Sequence, residues 1–203
     1  MKRFSVILMV VFVLGFCSNA LALDLAGKFG LTGKGGIGIP IGDFADSGKA
    51  EMGFGFGASG EYFLTDQIGL GAYFDYNSFG VKDVDGASYK LINFGAFGKY
   101  IIPTNSNISP YLKVAAGLYQ TKATQEIGSV NETLSFGMKF GLAVGGGVMF
   151  KASNNVLVGT EAMFHDAMVK NAEGDFEGTT YKLLYNLQYI QIHAGVTFLV
   201  GGK

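Results

Sequence analysis

The sequence is poor in residues that commonly brace or interrupt a fold: it has one cysteine, three prolines and no tryptophan among 203 residues. A single cysteine forms no intramolecular disulfide, so another force must hold the chain together. Charged residues make up only 15% and sum to a net charge of −1. This balance provides no basic face for a nucleic-acid partner, and the low charge with 49% hydrophobic residues argues against disorder.

Glycine, in contrast, is present in excess, with 32 of the 203 residues, about twice its usual share. The glycines follow no three-residue period and proline is scarce, which excludes collagen. A glycine inside a helix costs about 1 kcal/mol relative to alanine, so a protein built of long helices is disfavoured. The composition therefore favours β-structure.

The first 22 residues have the layout of a secretory signal peptide. Residues 1–3 are basic at the second and third positions, residues 4–17 are almost entirely apolar, and Ala20–Ala22 is a small-x-small cleavage site. The apolar run is shorter than the roughly 20 residues of a membrane-spanning helix, and no later stretch reaches that length. We predict cleavage after Ala22, export, and a mature domain over residues 23–203.

Apolar residues alternate strictly with small ones in several later segments. Between positions 134 and 150 one alternating set is bulky and apolar, whereas the other is glycine, alanine, serine and methionine with one cation, Lys139. A soluble lipocalin-like barrel would carry many charges on the second face, so the apolar set is predicted to face lipid and the small set the interior of a narrow barrel. The predicted outward set is Leu134, Phe136, Met138, Phe140, Leu142, Val144, Gly146, Val148 and Phe150.

Eight such segments predict an all-β fold, a closed eight-stranded antiparallel up-and-down transmembrane β-barrel. They run near residues 27–39, 52–64, 68–79, 88–102, 110–125, 133–151, 156–168 and 184–200. Connections after the even-numbered segments are short or turn-like, whereas those after the odd-numbered segments are longer or more charged, including Val169–Thr180. Short turns are typical of the periplasmic side, so both termini are expected there and the longer loops outside.

The last segment resembles the C-terminal β-signal of outer-membrane proteins, in which polar, glycine, aromatic and apolar residues alternate. The matching positions are His193, Gly195, Phe198 and Val200. Together with the signal peptide and the eight segments, residues 23–203 resemble the small OmpA/OmpX-type outer-membrane β-barrel domain family, without an appended periplasmic domain. The resemblance implies the outer membrane of a Gram-negative-type bacterium, contact with outer-membrane lipid, and the barrel-assembly machinery as a transient partner during insertion.

Seven charged residues share the inward phase of the predicted strands. A charge inside a narrow barrel is costly unless it is paired, so these residues are expected to form ion clusters that either plug the lumen or gate it. Distances from the turns predict a cluster of Glu61, Lys99 and Lys113 near the periplasmic end and a cluster of Asp75 and Lys139 nearer the loops. The inward charges are Lys34, Glu61, Asp75, Lys99, Lys113, Lys139 and Glu161.

No enzyme motif in the sequence has the context that its chemistry needs. Gly55–Gly60 matches a dinucleotide-binding fingerprint but lies inside an alternating segment and opens no helix. Asp83–Gly86 contains only a fragment of a calcium loop. His165 and His193 point inward near Glu161, but no serine is spaced beside either histidine as a nucleophile requires. We therefore predict no catalytic site, no metal site and no cofactor.

The combined features favour a non-enzymatic outer-membrane barrel that contributes to envelope structure and presents its loops to the exterior. Two alternatives stay open: a narrow channel or transporter for small or hydrophobic solutes, and a lipid-modifying barrel enzyme. The sequence does not indicate a ligand of the loops.

Overall fold

Strands make up most of the computed structural model, which describes residues 24–104, 106–127, 130–176 and 179–201. The predicted signal peptide, residues 1–22, lies outside the described residues. The short helix α1 (Asp43–Asp46) follows the first strand, and no helix of the described ranges is long and apolar enough to cross a membrane. The strands are β1 (Phe29–Ile41), β2 (Gly53–Phe63), β3 (Ile68–Gly80), β4 (Ala87–Ile101), β5 (Ile108–Ile127), β6 (Val130–Ser135), β7 (Lys139–Ser153), β8 (Val156–Ala167), β9 (Glu173–Phe176), β10 (Thr179–Lys182) and β11 (Leu187–Val200).

Antiparallel pairing closes the main sheet into a barrel. Each barrel strand pairs with its neighbour along the chain, and β1 closes the ring on β11 from Phe29↔Val200 to Ile41↔Gln188. The strands β6 and β7 both pair with β5: β7 pairs with Ile108–Tyr119 and β6 with Lys122–Ile127. Together they form the sixth strand of the ring. The predicted closed eight-stranded barrel is confirmed. We call its two ends the turn end, with the short connections, and the loop end.

A β-bulge separates β6 from β7. Tyr119 faces Lys139 and Lys122 faces Ser135, so two residues of β5 oppose the three residues 136–138. The extra residue reverses the alternation. Phe136 consequently points inward and is 5% exposed, whereas Phe140 on the other side of the bulge is 50% exposed.

The predicted outward stripe is therefore correct from Met138 to Phe150 and wrong at its beginning. Phe136 is a core residue, and Leu134 packs partly buried against the same core. Elsewhere the two faces follow the predicted phase: Leu70 and Val114 are exposed on the outside, whereas Tyr73, Phe97, Tyr111 and Tyr119 are buried in the lumen. A lipid-facing apolar surface and an interior with polar groups are typical of transmembrane barrels.

Three layers of apolar side chains fill the lumen. The turn-end layer is Leu25, Phe63, Ile101, Tyr111, Met149, Leu157 and Leu199. The middle layer is Tyr73, Phe97, Ala115, Ala143 and Met163. The loop-end layer is Phe44, Ala50, Phe79, Leu91, Tyr119, Phe136, Ala167, Val169, Ala172, Leu183, Leu187 and Tyr189.

The connection from β8 to β11 is more ordered than the plain loop that the sequence predicts. It contains the two-stranded hairpin of β9 and β10. An exposed ion pair of 2.8 Å joins Lys182 to Glu173 across the hairpin, and this carboxylate raises the pKa of Lys182 above its usual value. Buried side chains of the same connection, such as Val169 and Leu183, pack into the mouth of the barrel as part of the loop-end layer.

Candidate functional site in the barrel lumen

The first ion pair of the lumen joins β2 to β4. Lys99 Nζ lies 2.7 Å from Glu61 Oε1, and Glu61 is 1% exposed. Because β3 lies between these strands, the pair must cross the surface of β3. The intervening strand has glycines there: a Cβ added at Gly69 would come within 3.0 Å of Glu61 Oε2, and one at Gly71 would overlap backbone. Glycine on β3 therefore leaves the space in which the ion pair forms.

Lys34 on β1 bridges two carboxylates on opposite sides. Its Nζ lies 3.0 Å from Asp75 Oδ1 on β3 and 2.9 Å from Glu161 Oε1 on β8. Both contacts again cross a strand, β2 in one direction and β11 in the other. In the sheet register Lys34 is directly opposite Gly57 on one side and Gly195 on the other. Glycines thus flank the bridging lysine on both neighbouring strands.

Glu161 accepts further hydrogen bonds from β5. Lys113 Nζ donates to Glu161 Oε2 over 3.0 Å, and the Tyr111 hydroxyl donates to the same oxygen over 3.2 Å. The Lys113 ammonium also lies 4.5 Å from the centroid of the Phe97 ring, a distance at which a cation is attracted to an aromatic face. Glu161 is therefore the carboxylate on which Lys34 and Lys113 converge.

The predicted contact between Glu61 and Lys99 is present, but the other predicted partners are wrong. The sequence predicts Lys113 beside Glu61 and Asp75 beside Lys139, whereas Lys113 bonds Glu161 and Asp75 pairs with Lys34. Among the described residues, no carboxylate lies within ion-pair distance of Lys139. The inward phase is correct for all of these residues, but phase and distance from a turn give no position around the ring, and that position selects the partner.

A polar layer lies between the ion pairs and the loop-end apolar layer. The buried amides of Asn77 and Gln191 are hydrogen-bonded across the lumen. The Tyr119 hydroxyl and His165 Nδ1 are 2.9 Å apart, and the His165 ring stacks on Tyr189 with centroids 4.6 Å apart. The strand phase predicts an inward His165 but does not indicate this aromatic packing, since neither Tyr119 nor Tyr189 is close to His165 along the chain.

His193 lies beside a small cavity of about 50 Å³ in the ion-paired region. Neither of its ring nitrogens has a hydrogen-bond partner among the described residues, and Nδ1 is 3.9 Å from Glu161 Oε1. Lys34, Lys99, Lys113, Glu161 and His193 contribute to the cavity wall. A polar cavity of this size has room for water.

The described part of the chain offers little support for a metal site, a dinucleotide site or a nucleophilic catalytic site. No group of three or more His, Cys, Asp or Glu side chains is arranged there to hold a metal. Gly55–Gly60 lies within β2 and no helix follows it. Asp83–Gly86 lies in the connection between β3 and β4. Among the described residues, His165 is hydrogen-bonded to the Tyr119 hydroxyl, and neither His165 nor His193 has a hydrogen bond with a serine hydroxyl.

The closing strand β11 presents its β-signal-like residues on both faces. His193 is 2% exposed and points into the lumen, and Gly195 pairs with Lys34 of β1 and Gly159 of β8. Phe198 and Val200 are exposed on the outer surface. Of these four residues, His193 contributes a polar side chain to the lumen, whereas Phe198 and Val200 contribute apolar side chains to the lipid-facing wall.

A closed antiparallel barrel with an apolar exterior and an ion-paired interior defines the chain as a transmembrane β-barrel protein. The family description "Outer membrane protein beta-barrel domain" matches residues 8–198. The chain belongs to this family, whose members are barrels of the bacterial outer membrane.

Solved structures of other outer-membrane barrels have a similar fold. Neisserial surface protein A is 20% identical, with 85% of this chain and 98% of that chain covered and a TM-score of 0.57. OprG from Pseudomonas aeruginosa is 15% identical, with 90% of this chain and 100% of that chain covered and a TM-score of 0.58. Ail, the attachment invasion locus protein of Yersinia pestis, is 15% identical, with 86% of this chain and 99% of that chain covered and a TM-score of 0.53. A search of curated proteins finds no match.

Proposed function

We propose that this protein is a non-enzymatic outer-membrane barrel with a closed lumen, which contributes to envelope structure and presents its loop end to the exterior. The observation that carries the proposal is the filling of the lumen: apolar layers lie at both ends, and the buried ion pairs lie between them. Such an interior stabilises the barrel, and the apolar layers of the described residues at its two ends oppose the passage of a polar solute.

The turn-end layer is anchored by the chain segment that precedes β1. Leu25 is fully buried in that layer, and the backbone amides of Leu25 and Ala26 donate to Asp66 Oδ1 over 2.8 and 2.9 Å. Asp66 belongs to the turn between β2 and β3. The N-terminal segment is therefore held across the turn end by a carboxylate of the barrel itself.

The loop-end layer is closed by α1 and by the connection to β11. The Phe44 ring of α1 meets the Phe79 ring edge to face at 5.2 Å, and Phe79 meets Tyr189 at 5.3 Å. All three side chains are fully buried. Opening this end would expose large apolar surfaces to water, and the free-energy cost of that exposure disfavours a permanently open pore.

Planar-bilayer conductance tests the closed lumen. The purified full-length barrel is expected to give no reproducible open state, and Lys139→Met should behave identically as a control that changes an inward cation without an ion-pair partner among the described residues. The second candidate, a narrow channel, is favoured by the polar cavity beside His193. A reproducible open state that disappears in Lys113→Met or Glu61→Gln would establish the channel and refute the plug.

A lipid-modifying activity is the remaining alternative. Its test is incubation of the folded barrel with lipid A followed by mass spectrometry of the lipid. No mass change is expected, because no serine, threonine or cysteine side chain is hydrogen-bonded to either buried histidine in the described residues. A mass change that is lost in His193→Gln would contradict the proposal.

We further propose that residues 1–22 are removed during export and that the assembly machinery reads β11 through His193, Gly195, Phe198 and Val200. N-terminal sequencing of protein from outer-membrane fractions should begin at Leu23. Phe198→Ser should lower the amount of assembled barrel in cells more than Phe74→Ser, which changes a similarly lipid-facing residue outside the closing strand. Equal effects would argue against recognition of β11.

A further inference from the structure

We infer that the outer wall of the barrel carries a binding site for a phosphate-bearing lipid headgroup, built on Lys90 of β4 and Lys122 of β5. The sheet register places these two lysines directly opposite each other. The same row continues to Ser78 on β3 and Ser135 on β6. Two cations and two hydroxyl-bearing residues thus form one continuous row across four strands.

Both lysines are on the outer face of the wall. Leu91, next to Lys90, and Thr121, next to Lys122, are fully buried in the lumen. Successive side chains of a strand point to opposite faces, so the two lysines and the serines of the row point outward. Ser135 is exposed, and both lysines are half-buried along the wall.

The lysine pair has an unbalanced charge. Directly opposed residues of an antiparallel pair have Cβ atoms roughly 4.5–5.5 Å apart, and like charges at this distance destabilise the pairing. Among the described residues, no carboxylate lies within ion-pair distance of Lys90 or Lys122, although Lys28, Lys34, Lys99, Lys113 and Lys182 all have one. An anion from outside the chain would remove the repulsion.

The position of the row along the strands identifies that anion as part of a lipid. A second row of paired residues lies four positions from the lysine row along the strands, nearer the turn end. It consists of Phe74, Phe94 and Leu118, whose large side chains are exposed on the outer wall. Tyr76, Ile92 and Gln120 form the row between them and the lysines. The lysines therefore follow directly on the apolar, lipid-facing surface at the loop end, where headgroups border the hydrocarbon.

A phosphate group attached to a lipid has the chemistry that this row would recognise. Ammonium groups form charge-assisted hydrogen bonds with phosphate oxygens, and serine hydroxyls can donate to the remaining oxygens. The acyl chains of the same lipid would pack on the apolar surface below the row. A free phosphate ion would gain only the polar contacts, so the continuity with the apolar surface favours the lipid.

Binding of a fluorescent bis-phosphorylated lipid A to the folded barrel in detergent tests the site. The variant Lys90→Gln/Lys122→Gln is compared with Lys82→Gln/Lys170→Gln, which removes the same charge from exposed loop residues at the same end. We expect binding to weaken roughly 10- to 30-fold in the first variant, since each basic residue near a lipid surface contributes about 1 kcal/mol, and to change little in the control. Band-shift electrophoresis verifies that both variants are folded.

Three results would each overturn the site. Equal loss of binding in the two double variants would indicate a general effect of charge. Unchanged binding of lipid A from which the phosphates have been removed would indicate binding of the acyl chains alone. Displacement of the probe by inorganic phosphate at comparable concentration would indicate a site for a free anion. In vesicles of phosphatidylcholine alone, Lys90→Gln should raise the urea midpoint of unfolding, because it relieves the repulsion. A lowered midpoint there would contradict the inferred repulsion.

Discussion

Lys34 Nζ lies 2.9 Å from Glu161 Oε1, which joins β1 to β8 although β11 lies between them. The other lumen ion pairs have the same form, since each crosses one intervening strand of the ring. Backbone hydrogen bonds connect only adjacent strands. The ion pairs therefore act as a second set of connections that fixes the cross-section of the barrel.

Lys34→Met should destabilise the barrel strongly. Asp75 is 2% exposed, and Lys34 is its ion-pair partner among the described residues, so the substitution leaves a buried carboxylate unpaired. Breaking a buried pair in this way costs about 3–5 kcal/mol. Urea unfolding in vesicles measures the loss. Lys139→Met is the matched control and should change the free energy of unfolding little; an equal loss in both variants would show that the ion pair is unimportant.

The Glu61–Lys99 pair should behave as one unit. Lys99→Met and Glu61→Gln each leave one buried group without its partner, whereas the double variant leaves neither charge. The double variant should therefore be more stable than the sum of the two single losses predicts, with a coupling free energy of about 0.5–3 kcal/mol. A double-mutant cycle of urea unfolding measures this quantity. Strict additivity would mean that the two side chains do not interact.

The alternation of residues in the sequence predicts which face of a strand a side chain lies on, but it does not predict bulges or contacts across the lumen. A period of two assigns Tyr73 and Asp75 to the lumen because the opposite face of β3 is apolar or aromatic from Ile68 to Tyr76. The same period fails at Phe136, because Phe136 and Met138 are both apolar and a bulge between β6 and β7 leaves no change in the pattern. The partner of Asp75 also could not be assigned, because alternation specifies a face of the strand but not which strand lies across the lumen.

Phe136→Ala tests the reversed phase at the bulge. Phe136 is packed in the loop-end layer, so its truncation should leave a cavity and cost about 3–5 kcal/mol. Phe140→Ala removes the same atoms from a side chain that is 50% exposed on the lipid-facing wall and should cost clearly less. Urea midpoints of the two variants in the same vesicles provide the comparison. Equal losses would be inconsistent with an inward Phe136.

Gly57→Ala should disturb an ion pair without removing any charge. Gly57 lies between Lys34 and Asp75 in the register, and a Cβ added there would overlap the Asp75 carboxylate and approach the backbone oxygen of Phe74. Overpacking of this kind costs about 1–3 kcal/mol. Gly33→Ala, on the outer face of β1 with no atom within 4 Å of the added carbon, is the control and should leave stability unchanged or slightly raised.

The decisive comparison places Gly57→Ala in an Asp75→Ala background. If the glycine is required because the ion pair crosses its strand, Gly57→Ala should lower the free energy of unfolding less once the Asp75 carboxylate is gone. The close approach to the Phe74 carbonyl remains in both backgrounds. An unchanged cost would assign the glycine to backbone packing alone. The expected reduction would explain why a barrel with ion pairs across β2, β3, β7 and β11 is rich in glycine on its inner face: each crossed strand must lack a side chain beneath the pair.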